Sequence, residues 1–91
     1  MSETKQLLVL GRRNHTEAMR VAAGLTIFGH QVRLVFMTGP VAENAENAEQ
    51  AELLELSDIV PQTTVAGTEL EQVEPAELAM AMVECDAVIN I

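Results

Sequence analysis

The chain has no tryptophan, no tyrosine and only two phenylalanines, Phe28 and Phe36. Single-stranded nucleic-acid binders stack bases on aromatic side chains, so that function class has no platform here. Cationic side chains are also scarce. Lys5, Arg12, Arg13, Arg20 and Arg33 are all of them, and none follows residue 40. Fourteen acids against five bases give a net charge of −9. Such a surface repels phosphate backbones, and no nucleic-acid partner is expected. Cys85 is the only cysteine, which rules out an internal disulfide and suits a reducing compartment. The two histidines, His15 and His30, and that one thiol are too widely separated for ligand spacing. Neither a metal nor a cofactor is expected. Long apolar runs are missing too. Leu7–Leu10 is too short for the core of a secretory leader, and nothing approaches the roughly 20 apolar residues that span a membrane. These absences read as a cytoplasmic protein without a membrane partner.

What is present is aliphatic. Hydrophobic residues make up 48% of the 91 positions, too many for compositional disorder. That length leaves room for one core, a single domain over residues 1–91. A domain this small buries only about 60–65% of its unfolded surface, and self-association is a common source of added stability.

Residues 5–10 form a short apolar run ending at Gly11, as in a strand buried on both faces. Asn14 and Glu17 have capping-box spacing and predict a helix over Thr16–Phe28. Its inward stripe is expected to be Ala18, Val21, Ala22, Leu25 and Phe28, with Gly29 ending it. Residues 31–37 make a second strand. A second helix is expected over residues 43–56, opening on an acidic triplet repeat whose alanines drift off one face. Leu53, Leu54 and Leu56 would then carry its packing, and its charged surface is either solvated or a docking face.

Residues 62–66 suit a third strand, with Pro61 at its start, and residues 69–74 an acidic connection. Pro75 opens a third helix to about Glu84 that is apolar nearly all round, so one side is a candidate subunit interface. Residues 86–91 close the chain as a last strand. The alternation predicts a three-layer, flavodoxin-like α/β domain with a parallel sheet of about four strands and flanking helices.

Open parallel sheets bind ligands beyond the carboxyl ends of their strands. Arg12, Arg13, Asn14 and His15 precede a helix N-terminus there, with Thr38 and Gly39 in the next loop. Free amides, a positive helix end and two guanidiniums favour a small anion or nucleotide. The alternative is a pair of solvated arginines. The loop holds a single glycine and so is neither a P-loop nor a dinucleotide fingerprint. His15 has the chemistry of a general acid or base, or of a helix cap. His30 follows a helix C-terminus, where a cation is favoured. Cys85 is the one candidate sulfur nucleophile. Its place at a helix end beside Asp86 is the reverse of the electropositive setting that reactive cysteines have.

Residues 18–41, Ala18-Met-Arg-Val-Ala-Ala-Gly-Leu-Thr-Ile-Phe-Gly-His-Gln-Val-Arg-Leu-Val-Phe-Met-Thr-Gly-Pro-Val41, resemble the DsrE/DsrF-like family of small sulfur-relay proteins. The shared features are Ala18, Ala22 and Leu25 on the first helix, the turn Gly29-His30-x-Val32, and Gly39 and Val41 with Pro40 between them. Residues 86–91 are similar to the family's last strand. The resemblance implies a flavodoxin-like fold, assembly into trimers or hexamers or with related subunits, and in some members persulfide transfer on a cysteine just after the third strand. The corresponding stretch here, Thr64-Val-Ala-Gly-Thr68, has no cysteine. The resemblance therefore implies a non-catalytic partner subunit related to sulfur metabolism. The alternatives are a persulfide carrier using Cys85 and an anion-binding module at Gly11–His15.

Overall fold

A computed structural model describes residues 5–91. The elements run β1 (Gln6–Gly11), α1 (His15–Ile27), β2 (Gln31–Phe36), α2 (Ala45–Leu56), β3 (Gln62–Thr63), β4 (Glu71–Gln72), α3 (Pro75–Glu84) and β5 (Ala87–Asn90). The strands form one parallel five-stranded sheet in the order β4-β3-β2-β1-β5. Helices lie on both faces, which makes the chain a three-layer α/β domain of flavodoxin-like kind. The chain steps outward from β1 to β4, then returns through α3 to place β5 against the free side of β1.

β1 is the middle of the core because its sequence is apolar without alternation. Leu7, Leu8, Val9 and Leu10 are all buried, with neighbours pointing to opposite faces. Val9, Leu34 and Phe36 pack under α1 with Ala18, Met19, Ala22 and Ala23. Leu8, Leu10 and Val35 pack under α3 with Leu78 and Ala81. Each fully buried leucine contributes about 1.5–3 kcal/mol. The β1–β2 register pairs Gln6 with Gln31 through to Gly11 with Phe36. On the α3 side a polar ladder crosses the sheet. Arg33 Nε donates to Gln62 Oε1 at 2.7 Å, Gln62 Nε2 donates to Glu71 Oε1 at 3.1 Å, and Glu77 of α3 lies 3.4 Å from Arg33 Nη2.

The sheet has five strands where about four were expected, because part of the acidic connection, Glu71–Gln72, pairs with β3 as an edge strand. β3 itself is only Gln62–Thr63, since the chain turns away through Thr64–Thr68 and Gly67 adopts a φ of 81°. α1 begins at His15, and its buried face is Ala18, Met19, Ala22 and Ala23; Phe28 lies past its end, 79% exposed. α2 packs differently from its leucine pattern. Leu54 is buried, but Leu56 is 82% exposed, and Asn47 and Gln50 take the inward positions. Triplet spacing rotates the alanines outward and leaves these amides facing α1. Gln50 Oε1 is buried there with no hydrogen-bond partner among the described residues.

Gly11 sits where β1 meets α1. A Cβ at this position would lie 2.9 Å from Phe36 Cδ1 and 3.1 Å from Ala18 Cβ. Phe36 is buried in the α1 core cluster, so an added Cβ forces the ring or the backbone to shift. Gly11→Ala is expected to lower unfolding free energy by about 1–3 kcal/mol through overpacking. Urea denaturation followed by circular dichroism measures it, and a loss under about 0.5 kcal/mol, the usual range for surface changes, would show that the ring yields.

Candidate functional site

The carboxyl ends of β1 and β2 bring Arg12, Arg13, Asn14, His15, Thr38 and Gly39 to one end of the sheet. Asn14 caps α1: its Oδ1 accepts from the Glu17 amide at 3.0 Å. The Glu17 carboxylate turns to Arg20 instead of closing the box. The hydrogen bond from Arg20 holds the Glu17 carboxyl below its usual range and raises the guanidinium. The pair supports the folded state above the unfolded Glu value, and that support is lost as pH falls through the lowered one. The pair lies at the surface, so salt screens the interaction.

The loop's backbone amides already have an acceptor. Arg12 N and Arg13 N donate to the Ile91 backbone oxygen at 2.9 and 2.8 Å, with Asn14 N at 3.5 Å. The Ile91 backbone oxygen thus takes the amides that would face an anion in the crevice beyond the strand ends. An anion in this crevice would have to displace Ile91, or else meet only the exposed side chains of Arg12 and Arg13. His15 Nε2 lies 3.0 Å from the Met37 carbonyl oxygen. A carbonyl only accepts, so Nε2 donates. The ring also meets Phe36 edge-on, with centroids 5.0 Å apart. Thr38 Oγ1 donates to the Arg12 carbonyl at 2.7 Å, and Met37 N donates to Gly11 O at 2.8 Å. These bonds tie the two loops to each other.

Cys85 stands apart. It follows α3 and precedes β5, at the opposite end of the sheet, half-buried against the α3 core. Its Sγ lies 3.4 Å from the Met82 carbonyl, to which the thiol donates. It borders a shallow groove of about 280 Å³ that also touches Gln6, Arg33 and Glu84. His30 is likewise distant from the loop cluster: its Nδ1 accepts from the Lys5 amide at 3.3 Å, just past Gly29, whose φ of 90° ends the helix turn.

Beside the tied loops lies a feature that periodicity did not disclose. A cleft of about 780 Å³ opens between α2, the ends of β2 and β3, and residues 67–70. Buried Met19, Phe36, Leu54 and Ile59 lie at its base, Pro40, Val41, Ala51 and Leu70 supply its accessible apolar surface, and Glu43, Glu55 and Glu69 also line it. Asn47 fixes one wall: Nδ2 donates to the Ala42 carbonyl at 2.7 Å, and Oδ1 accepts from the Thr16 hydroxyl. The only sequence signal was an asparagine amid the alanine triplets, and it marked no ligand class. No group of three or more potential metal ligands occurs among the described residues. No helix among them is long and apolar enough to cross a membrane.

The chain is thus an α/β domain with a tied loop cluster at the carboxyl end of its sheet and an open cleft alongside. No family model matches the sequence, and no curated protein or solved structure is significantly similar to it.

Thr38 holds a φ of 75°, a conformation costly for a β-branched residue. Thr38→Val keeps that strain and loses the bond to Arg12, so it is expected to destabilise by about 0.5–1.5 kcal/mol. Thr38→Gly loses the bond but relieves the strain, and is expected to be neutral within about 0.5 kcal/mol. Paired denaturation curves decide. Equal losses in both variants would mean that the strain carries no weight.

Proposed function

We propose that this chain acts by association. In this reading it is a non-catalytic α/β subunit of DsrE/DsrF-like type that binds copies of itself, as a trimer or hexamer, or related subunits in sulfur metabolism. The outer face of α3 carries the proposal. Ala76, Ala79, Met80 and Val83 recur at helical spacing and are exposed, Met80 by 63% and Val83 by 85%. The inner face of the same helix, Leu78 and Ala81, already covers the sheet. A helix that is apolar on both sides has two surfaces to bury. Burial of Met80 and Val83 would contribute about 1.5–3 kcal/mol each if complete. α3 is the only helix on its side of the sheet among the described residues, and β5 beside it pairs with β1 alone. A sheet edge of that kind is a template for another strand. The turn at Gly29 and His30 and the apolar strand that follows support the family reading.

The test is the native mass at micromolar concentration. An oligomer is expected, and Met80→Glu with Val83→Glu is expected to dissociate it while leaving the circular dichroism spectrum unchanged. A monomeric parent protein would remove the basis for this reading. A Cys85 that alkylates readily in the folded protein and carries a persulfide by mass spectrometry would favour sulfur transfer instead.

A further inference from the structure

The cleft beneath α2 has the properties of a ligand site independent of the α3 face. Its volume of about 780 Å³ lies within the range of small-molecule pockets, roughly 300–1,000 Å³. It lies at the carboxyl ends of β2 and β3, the end where parallel sheets take ligands. It persists because α2 rests mainly on α1, through Asn47, Gln50 and Leu54, and does not close down on β3. The bond from Asn47 to the Ala42 carbonyl holds the wall that a collapse would have to move.

The lining also selects by charge. Pro40, Val41, Ala51 and Leu70 give an accessible apolar surface over the buried Phe36, Leu54 and Ile59, while every ionisable residue that lines the cleft is a carboxylate: Glu43, Glu55 and Glu69. The cleft also lies in the half of the chain, residues 41–91, that carries twelve acids and no base. Low-dielectric walls with one sign of charge concentrate counter-ions of the opposite sign. We infer that the cleft binds a small organic cation with an apolar body, such as an alkylated amine, its body against Pro40, Val41, Ala51 and Leu70 and its charge among the three glutamates. Nucleotides, carboxylates and sulfate esters are disfavoured by the same charge.

The absence of tryptophan and tyrosine makes calorimetry and NMR the suitable readouts. The probes are decyltrimethylammonium and decyl sulfate, chains of equal length and opposite charge, each below its micelle concentration. The cation is expected to bind about tenfold tighter or more, equivalent to about 1.4 kcal/mol. Ala51 lines the cleft from an exposed helix position, so Ala51→Trp is expected to fill it and weaken cation binding about tenfold without unfolding the domain. The triple variant Glu43→Gln, Glu55→Gln, Glu69→Gln is expected to reduce the cation preference to about threefold or less. Glu46→Gln, Glu49→Gln, Glu52→Gln removes as much charge away from the cleft and is expected to leave that preference in place. Equal affinity for the two probes would overturn the inference. So would tight cation binding after Ala51→Trp, or equal losses in the two triple variants, which would leave only the general field of an acidic protein. Binding that vanishes with Met80→Glu and Val83→Glu would assign the probe to the α3 face and also reject the cleft.

Discussion

Four consecutive side chains, Leu7 to Leu10, leave water together. Because successive strand residues point to opposite faces, both faces of β1 have to be covered. That single constraint orders the domain. α1 lies over Val9, and α3 lies over Leu8 and Leu10. β2 and β5 take the two free edges of β1 in parallel register, so that the central strand is hydrogen-bonded along both sides. The outward strands β3 and β4 need no such cover, and they are correspondingly short.

The carboxyl end of the sheet is where this geometry meets chemistry. The β1–α1 loop has a helix N-terminus, two arginines and a histidine, a composition suited to an anion. The fold uses much of that potential internally. The Ile91 carbonyl accepts from the amides of Arg12 and Arg13, the Met37 carbonyl accepts from His15 Nε2, and Thr38 adopts a positive φ while its hydroxyl donates to Arg12. The open volume at this end of the sheet lies to the side, in the cleft under α2. Its charge is the opposite of the loop's, so the two neighbouring places at one sheet end suit different ligands.

The two faces of the sheet are unequally finished. One carries α1 and α2, packed on each other. The other carries α3 alone, with Met80 and Val83 turned to solvent. An exposed apolar stripe on so small a domain is a surface with an unmet energetic gain, whereas the glutamate-rich outer face of α2 is already satisfied by water. The proposed association through α3 and the inferred ligand binding under α2 therefore draw on separate surfaces, and neither requires the other.

The parallel three-layer architecture was legible in the sequence because its signals are local. An unbroken apolar run marks a doubly buried strand, Asn14 marks a helix start, Gly29 a helix stop and Pro75 another start. The apolar character of α3 was legible for the same reason. The strand Glu71–Gln72 was not, because two polar edge residues join a sheet only when a neighbour with free backbone groups is at hand. The cleft was not legible either. It exists because α2 leans on α1 through Asn47 and Gln50, and helix periodicity cannot say which of two neighbours a polar stripe will meet. Nor could residues 11–15 disclose that Ile91, some eighty positions away, would reach their amides. The sequence by itself determined which segments are strands and helices and which faces avoid water. Tertiary structure alone decided which donors stay free and where empty volume remains, since both depend on residues distant in the chain arriving at the same place.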